Sequence, residues 1–410
     1  MFRFAPSPTA DMHIGTLRVA LFNYICAKQA DDKLLIRIED TDLEHHVEGK
    51  DQEILEILTL FGISYHDVTY QSHNRKFHQQ LATKLLMDKN AFSCFCTSND
   101  IAKGEPYNGT CENLSDEMVL NNENPFSVRV KRPQEDISFE ESIKGEMHVK
   151  KESIDSFVIL HQDKTPTPNF ASALDDLLSD ISLVIRSEEH LSDTPKQVML
   201  RNYLGYDKSI TYAHLPALVN APSVKELLEE GFLTSAITNY LIMIGNETPS
   251  DIFDLTEAMA WFDLSKLSTS SATFDINTLR HINHEHIQKM DALELAKFLS
   301  FSSKDLGELA KIYSEEGSTI NEIKPKIDAL FAKKAPSEFI TEYQSLVKIA
   351  KDAPFFKAFE DFQSHLQKKS GLEGKAFLEP LRFMLTGADS GPNLSDIYPH
   401  IKNYLGEIIQ

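Results

Sequence analysis

An imidazole, a glycine and a hydroxyl fall together at His13-Ile14-Gly15-Thr16, between a short apolar run, Phe2-Arg3-Phe4, and an apolar helical stretch beginning near Leu17. Pro6 and Pro8 stiffen the turn Ala5-Pro6-Ser7-Pro8-Thr9 that joins them. Such a strand-to-helix turn presents unpaired backbone N–H groups and the positive end of the helix dipole, and a glycine lets a nucleotide approach the main chain. The His13 ring can add a donor to a phosphate oxygen, although a lone histidine at a helix start also serves as a plain surface cap. A second chemical cluster is Cys94-Phe95-Cys96 followed by Tyr107 and Cys111. Two thiolates one residue apart and a Tyr-x-x-x-Cys pair can surround a tetrahedral ion, and the alternative is a set of reduced thiols without metal.

The elements that must position these groups alternate at first between strand and helix. Leu34 to Ile38 reads as a strand, Asp51 to Phe61 and Asn74 to Met87 as helices, and Ile181 to Ile185 as a later strand. That alternation predicts an α/β nucleotide-binding domain with a parallel sheet, whose ligands sit beyond the carboxyl ends of the strands. Between about 88 and 155 the pattern changes to short β-like runs around the cysteines, an insertion that splits the domain. After 221 the chain turns helical, with Leu227, Leu228, Phe232, Ile237, Tyr240, Leu241 and Ile244 at helical spacing. At 410 residues the chain exceeds what one core usually serves.

The formal charge of −21 argues, as an average, against a nucleic-acid partner. It is unevenly spread. From Lys289 onward 16 basic residues face 18 acidic ones, so the C-terminal third, with Lys324, Lys326, Lys333, Lys334, Lys368 and Lys369, is the better candidate for an RNA-facing surface. Solvated helix faces are the equally simple reading of each lysine. No apolar run has the length of a signal segment or membrane span, which leads to the expectation of a cytoplasmic protein, and its four cysteines do not form a disulfide framework.

Taken together, the His13 turn and Arg37-Ile38-Glu39-Asp40-Thr41-Asp42 resemble the two signatures of the glutamyl-type class I aminoacyl-tRNA synthetases, and the likeness extends to Leu378-Glu379-Pro380-Leu381-Arg382 near the end of the chain. The resemblance implies an α/β Rossmann-like parallel sheet in two halves, 1–87 and 156–220, around an acceptor-stem-binding insertion with a candidate zinc site, 88–155. All-α stem-contact (221–288) and anticodon-binding (289–410) domains follow. It implies ATP held by His13, Gly15 and Thr16, taken with Mg2+, and glutamate held by Arg3, Ser7, Glu39, Arg186 and Glu189. Two guanidinium groups suit a small diacid because each pairs with a carboxylate through parallel donors. A plain ion pair between Arg3 and Glu39 is the bland alternative. The same resemblance implies a structural Zn2+ on Cys94, Cys96, Tyr107 and Cys111. It also implies tRNA(Glu) or tRNA(Gln), L-glutamate and ATP as partners, with no membrane, for a monomer. Asp175-Asp176 matches an acidic pair of the family, and as a bare pair reads as a helix-surface feature.

Two departures cut against the family pattern. Between Asn220 and Ser223 stands only Ala221-Pro222, where the family carries a mobile loop bearing Lys-Met/Leu-Ser-Lys-Ser/Arg. Ser265-Lys266-Leu267-Ser268 is no replacement, because it matches a different downstream segment. Pro168 stands where the family usually has a tyrosine facing the substrate, removing a ring, a hydroxyl and a backbone donor. Two functional readings remain open from the sequence: a glutamate–tRNA ligase with a slowed activation step, or a catalytically impaired or inactive relative that binds tRNA.

Overall fold

Five short segments pair as parallel strands in a computed structural model that describes residues 1–42, 45–97 and 107–409. They are β1 (Phe2–Phe4), β2 (Leu34–Ile38), β3 (Asp67–Tyr70), β4 (Leu183–Ser187) and β5 (Thr211–Leu215). Their order across the sheet is β5-β4-β1-β2-β3, with Phe2 opposite both Leu34 and Leu183. This is the Rossmann-like order, in which the chain winds outward in both directions from β1, and the switch point lies between β1 and β4. Parallel neighbours need crossovers, and these are helical: α1 (Ile14–Gln29), α2 (Lys50–Leu60), α3 (Arg75–Met87), α4 (Pro168–Leu178) and α5 (Thr194–Tyr203).

Local chemistry explains the helix starts. His13 N-caps α1 three residues earlier than the apolar pattern suggested, its Nδ1 accepting from the Gly15 N–H at 3.1 Å. Pro168 occupies the first turn of α4, where its missing N–H would have had no partner in any case, so the proline starts the helix instead of breaking it.

The chain divides into two compact units. The first, Met1–Val224 with Leu241–Phe274, holds the parallel sheet and the insertion. In it Ala91–Cys94, Ser127–Val130 and Val158–Leu160 form an antiparallel sheet, and Ile137–Phe139 pairs with Met147–Val149. Val158–Leu160, expected to resume the nucleotide-binding half, therefore pairs with a strand of the insertion. The second unit, Lys225–Tyr240 with Asp275–Gln410, is helical; Ile323, Ile327 and Leu330 on Ile320–Phe331 give its characteristic buried stripe at i, i+4 and i+7. Gly307 is obligatory there, since a Cβ would lie 1.7 Å from the Ala292 carbonyl oxygen. Among the described residues, no helix is long and apolar enough to cross a membrane.

Candidate active site

A cavity of about 650 Å³ opens beyond the carboxyl ends of β1 and β4, and Arg3, Ser7, His13, Gly15, Thr16, Glu39, Arg186 and Glu189 all line it. Residues far apart in the chain thus share one wall system.

Below the cavity floor runs a chain of buried charges. Asp176 Oδ1 accepts from Arg3 Nε at 3.2 Å and from Arg37 Nη1 at 2.5 Å, while Arg37 Nη2 reaches Glu39 Oε1 at 3.1 Å. Glu39 Oε1 also accepts from the Ser172 hydroxyl at 2.6 Å. Arg3 and Glu39 are therefore held through Asp176 and Arg37, each with its own partner. Burial would raise the Asp176 pKa, but Arg37 and Arg3 outweigh it and hold the group at about 2. The neighbouring Asp175 is buried as well, accepting from Gln71 Nε2 at 3.0 Å, Asn74 Nδ2 at 2.8 Å and His78 Nε2 at 2.8 Å. The acidic pair that reads as a helix-surface feature is in fact the anchor of the floor: α4 turns this face to the sheet. Asp40 accepts from the Ser72 N–H and hydroxyl, and Thr41 donates to Gln71, so the rest of the Arg37–Asp42 motif braces the exit of β3.

Arg186 is different. Only 9% exposed, it donates from Nε to His214 Nε2 (3.3 Å), from Nη1 to Gln197 Oε1 (3.1 Å) and from Nη2 to Thr194 Oγ1 (2.6 Å). Every one of these partners is uncharged. Burial, and then the positive charge of Arg3, lower its pKa to about 10, which leaves it a cation in want of an anion. Arg18, which the sequence reading passed over, is a second such cation at the cavity edge; it donates to the carbonyls of Leu241, Pro216 and Ile244.

The His13 ring has both nitrogens engaged. Because Nδ1 accepts from Gly15, Nε2 carries the hydrogen and donates to the Ala221 carbonyl at 2.6 Å. The Ile14 N–H donates to Pro222 at 3.2 Å, and the Val224 N–H to Met12 at 2.8 Å. The short Asn220–Ser223 connection is thereby laid along the helix start, and a phosphate seeking the His13 donor would have to displace Ala221. Ser265–Lys266 forms a single tight turn on Asp263, as a capped loop does.

The three cysteine sulfurs of the insertion lie within 4.8 Å of one another, Cys96 and Cys111 at 3.5 Å. The Tyr107 hydroxyl is 3.7 Å from the sulfurs of Cys94 and Cys96 and accepts from the Cys111 N–H at 2.8 Å. Three sulfurs within 4.8 Å of one another, two of them 3.7 Å from the phenolic oxygen, fit an ion whose sulfur bonds are about 2.3 Å long. Arg132 and Asp155 clamp the Tyr107 backbone on both sides.

Residues 1–281 match the family described as tRNA synthetases class I (E and Q), catalytic domain. The chain is 52% identical to the glutamate–tRNA ligase 2 of Sulfurimonas denitrificans and 51% identical to the glutamate–tRNA ligase 1 of Nitratiruptor sp., each over the full length of both proteins. The chain belongs to the class I tRNA synthetases for glutamate and glutamine. Both alignments run over 432 positions against 410 residues here, so these relatives carry residues that this chain lacks. In fold it is similar to a glutamate tRNA ligase from Elizabethkingia meningosepticum solved in complex with its amino acid, with a TM-score of 0.83 at 24% identity over 99% of this chain and 97% of that one.

Two outcomes follow from the charged floor and the helix start. Asp176→Asn leaves two buried guanidinium groups short of a counter-ion and lowers stability at pH 7 by about 3–5 kcal/mol in urea unfolding. Because the folded Asp176 pKa lies below the unfolded value of about 3.9, its contribution is whole above that pH, and the gap between variant and parent narrows as pH falls toward 2. His13→Ala costs about 1 kcal/mol as a lost cap and speeds hydrogen exchange at the Val224 amide. An unchanged exchange rate would show that Ala221 is held by something other than the imidazole.

Proposed function

We propose that this chain is a glutamate–tRNA ligase, which activates L-glutamate with the Mg2+ complex of ATP and passes it to the 3′ end of tRNA(Glu) or tRNA(Gln), as a cytoplasmic monomer serving protein biosynthesis. The observation that carries this reading is Arg186: a buried cation with only neutral partners, lining a cavity that Arg3 of the neighbouring strand also lines. A ligand with two carboxylates supplies the missing negative charge, and Glu39 with Ser7 suits its ammonium and carboxylate. The names of relatives about half identical over the whole chain support the enzyme over a non-catalytic tRNA-binding relative.

In the activation step, a carboxylate oxygen of glutamate bonds to the α-phosphorus of ATP as the bond to pyrophosphate breaks. The chain's contribution is positional and electrostatic: Arg3 and Arg186 fix the diacid, while His13, Gly15 and Thr16 receive the nucleotide. The lysines of the absent loop would have neutralised departing pyrophosphate, and the loss of one preorganised donor costs roughly 10²–10³ in rate.

We infer also a structural Zn2+ on Cys94, Cys96, Tyr107 and Cys111, supported by the convergence of four donor atoms. When bound, the ion cross-links the insertion and takes no part in the reaction.

Exchange of pyrophosphate into ATP, dependent on glutamate and measured with tRNA present, tests the first reading. It should exceed that of a His13→Ala, Arg186→Ala double variant, and grafting a Lys-Met-Ser-Lys-Ser loop between Asn220 and Ser223 should raise it. Exchange equal to that of the double variant defeats the ligase reading. For the metal, elemental analysis of purified protein should give one zinc per chain, lost together with protection of Cys94, Cys96 and Cys111 from thiol reagents on chelation; metal-free protein with three freely reacting thiols rules the site out.

A further inference from the structure

The insertion reaches back to the parallel sheet. Past Phe139 the chain pairs with the edge strand β5: the Tyr212 N–H donates to Glu140 O at 2.9 Å and the Ser142 N–H to Tyr212 O at 2.8 Å. That register drives Glu141 inside, where it is 2% exposed. One carboxylate oxygen accepts from the N–H groups of Ile143 (2.7 Å) and Lys144; the other accepts from the His214 N–H at 2.6 Å and lies 3.3 Å from His214 Nδ1. An ionised carboxylate only accepts, so Nδ1 must bear the ring hydrogen. Nε2 is then a lone pair, and it meets Arg186 Nε at 3.3 Å and the Thr194 hydroxyl at 2.8 Å. Burial pushes the His214 pKa below its usual value, in keeping with a neutral ring.

We propose that Glu141 and His214 are positioning residues for the amino acid: Glu141, lent by the insertion, sets the tautomer of His214, and His214 pins the Nε edge of Arg186 so that its Nη hydrogens face the cavity. With Nε on His214 and one hydrogen of each Nη on Gln197 or Thr194, one hydrogen per Nη remains for a two-bond grip on a carboxylate. The proposal rests on the assignment of Arg186 to glutamate made above. It ties amino-acid affinity to the docking of the insertion, whose other role is expected to be contact with tRNA.

The test compares His214→Asn, His214→Gln and Arg186→Ala in tRNA-supported exchange, reading KM for glutamate and for ATP separately. Asparagine keeps a donor near Glu141 but offers nothing to Arg186, whereas the longer glutamine places its oxygen close to the Nε2 position. His214→Asn should raise KM for glutamate about tenfold while KM for ATP stays within about twofold, and His214→Gln should recover most of that loss. If Arg186→Ala raises KM for glutamate and His214→Asn does not, or if His214→Asn raises both KM values alike, the positioning role is wrong and the assignment of Arg186 stands. If Arg186→Ala itself leaves KM for glutamate unmoved, both fall. Should the His214 variants not fold, the ¹⁵N shifts of His214 in the unmodified protein decide: a hydrogen on Nδ1 is expected, and one on Nε2 overturns the proposal.

Discussion

One carboxylate, Asp176, is shared by two guanidinium groups from adjacent strands, and the candidate site is arranged around that sharing. Arg3 comes from β1, Arg37 from β2, and Asp176 from α4, more than a hundred residues later. Burying three charges is costly unless each is met by partners of good geometry, so the three elements are held in one relative placement or the cluster is not formed at all. That placement aims Arg3 and Glu39 at the same cavity. It also carries α4 inward, which brings Ser172 to Glu39 and Pro168 to the cavity wall. The proline therefore does not disturb the helix; what it removes is a side chain that could have reached the substrate.

Charge is balanced within the floor and unbalanced above it. Arg3, Arg37, Asp176 and Glu39 are bound to one another, whereas Arg186 and Arg18 meet only neutral groups. A pocket of this kind is prepared for an anionic ligand before one arrives, which is how preorganised electrostatics lowers a barrier without a reorganisation cost. The helix start is less prepared. Its ring and the Ile14 amide are bonded to the short Asn220–Ser223 connection, so an anion using these donors would have to release that connection.

Much of this was legible in the sequence. The strand Leu34–Ile38 and the helices around it follow from apolar periodicity, and the strand-to-helix turn follows from His13 and Gly15 placed between a strand and a helix. Eight residues chosen for phosphate and diacid chemistry line a single cavity because motif residues carry their own local geometry. What periodicity could not give is pairing across the fold. Asp175-Asp176 looks like an exposed pair because acidic residues in a helix normally face water, and only the partners Arg3, Arg37, Gln71, Asn74 and His78 explain its burial. Glu141 and His214 lie in separate elements with no motif to link them, and the strand Val158–Leu160 joins the insertion because a short apolar run carries no label for its neighbour. The one hint available was the count of arginines in apolar runs, Arg18 and Arg37 among them, each of which had to find a partner.

The central claim, that a pre-built pair of guanidinium groups grips a diacid above a fixed floor of charge, is tested most directly by a crystal structure with L-glutamate bound. The carboxylates should lie within hydrogen-bonding distance of Arg3 and Arg186, with Asp176 still bridging Arg3 and Arg37. Glutamate seated elsewhere, or an Arg3 that leaves Asp176 to reach it, would contradict the account.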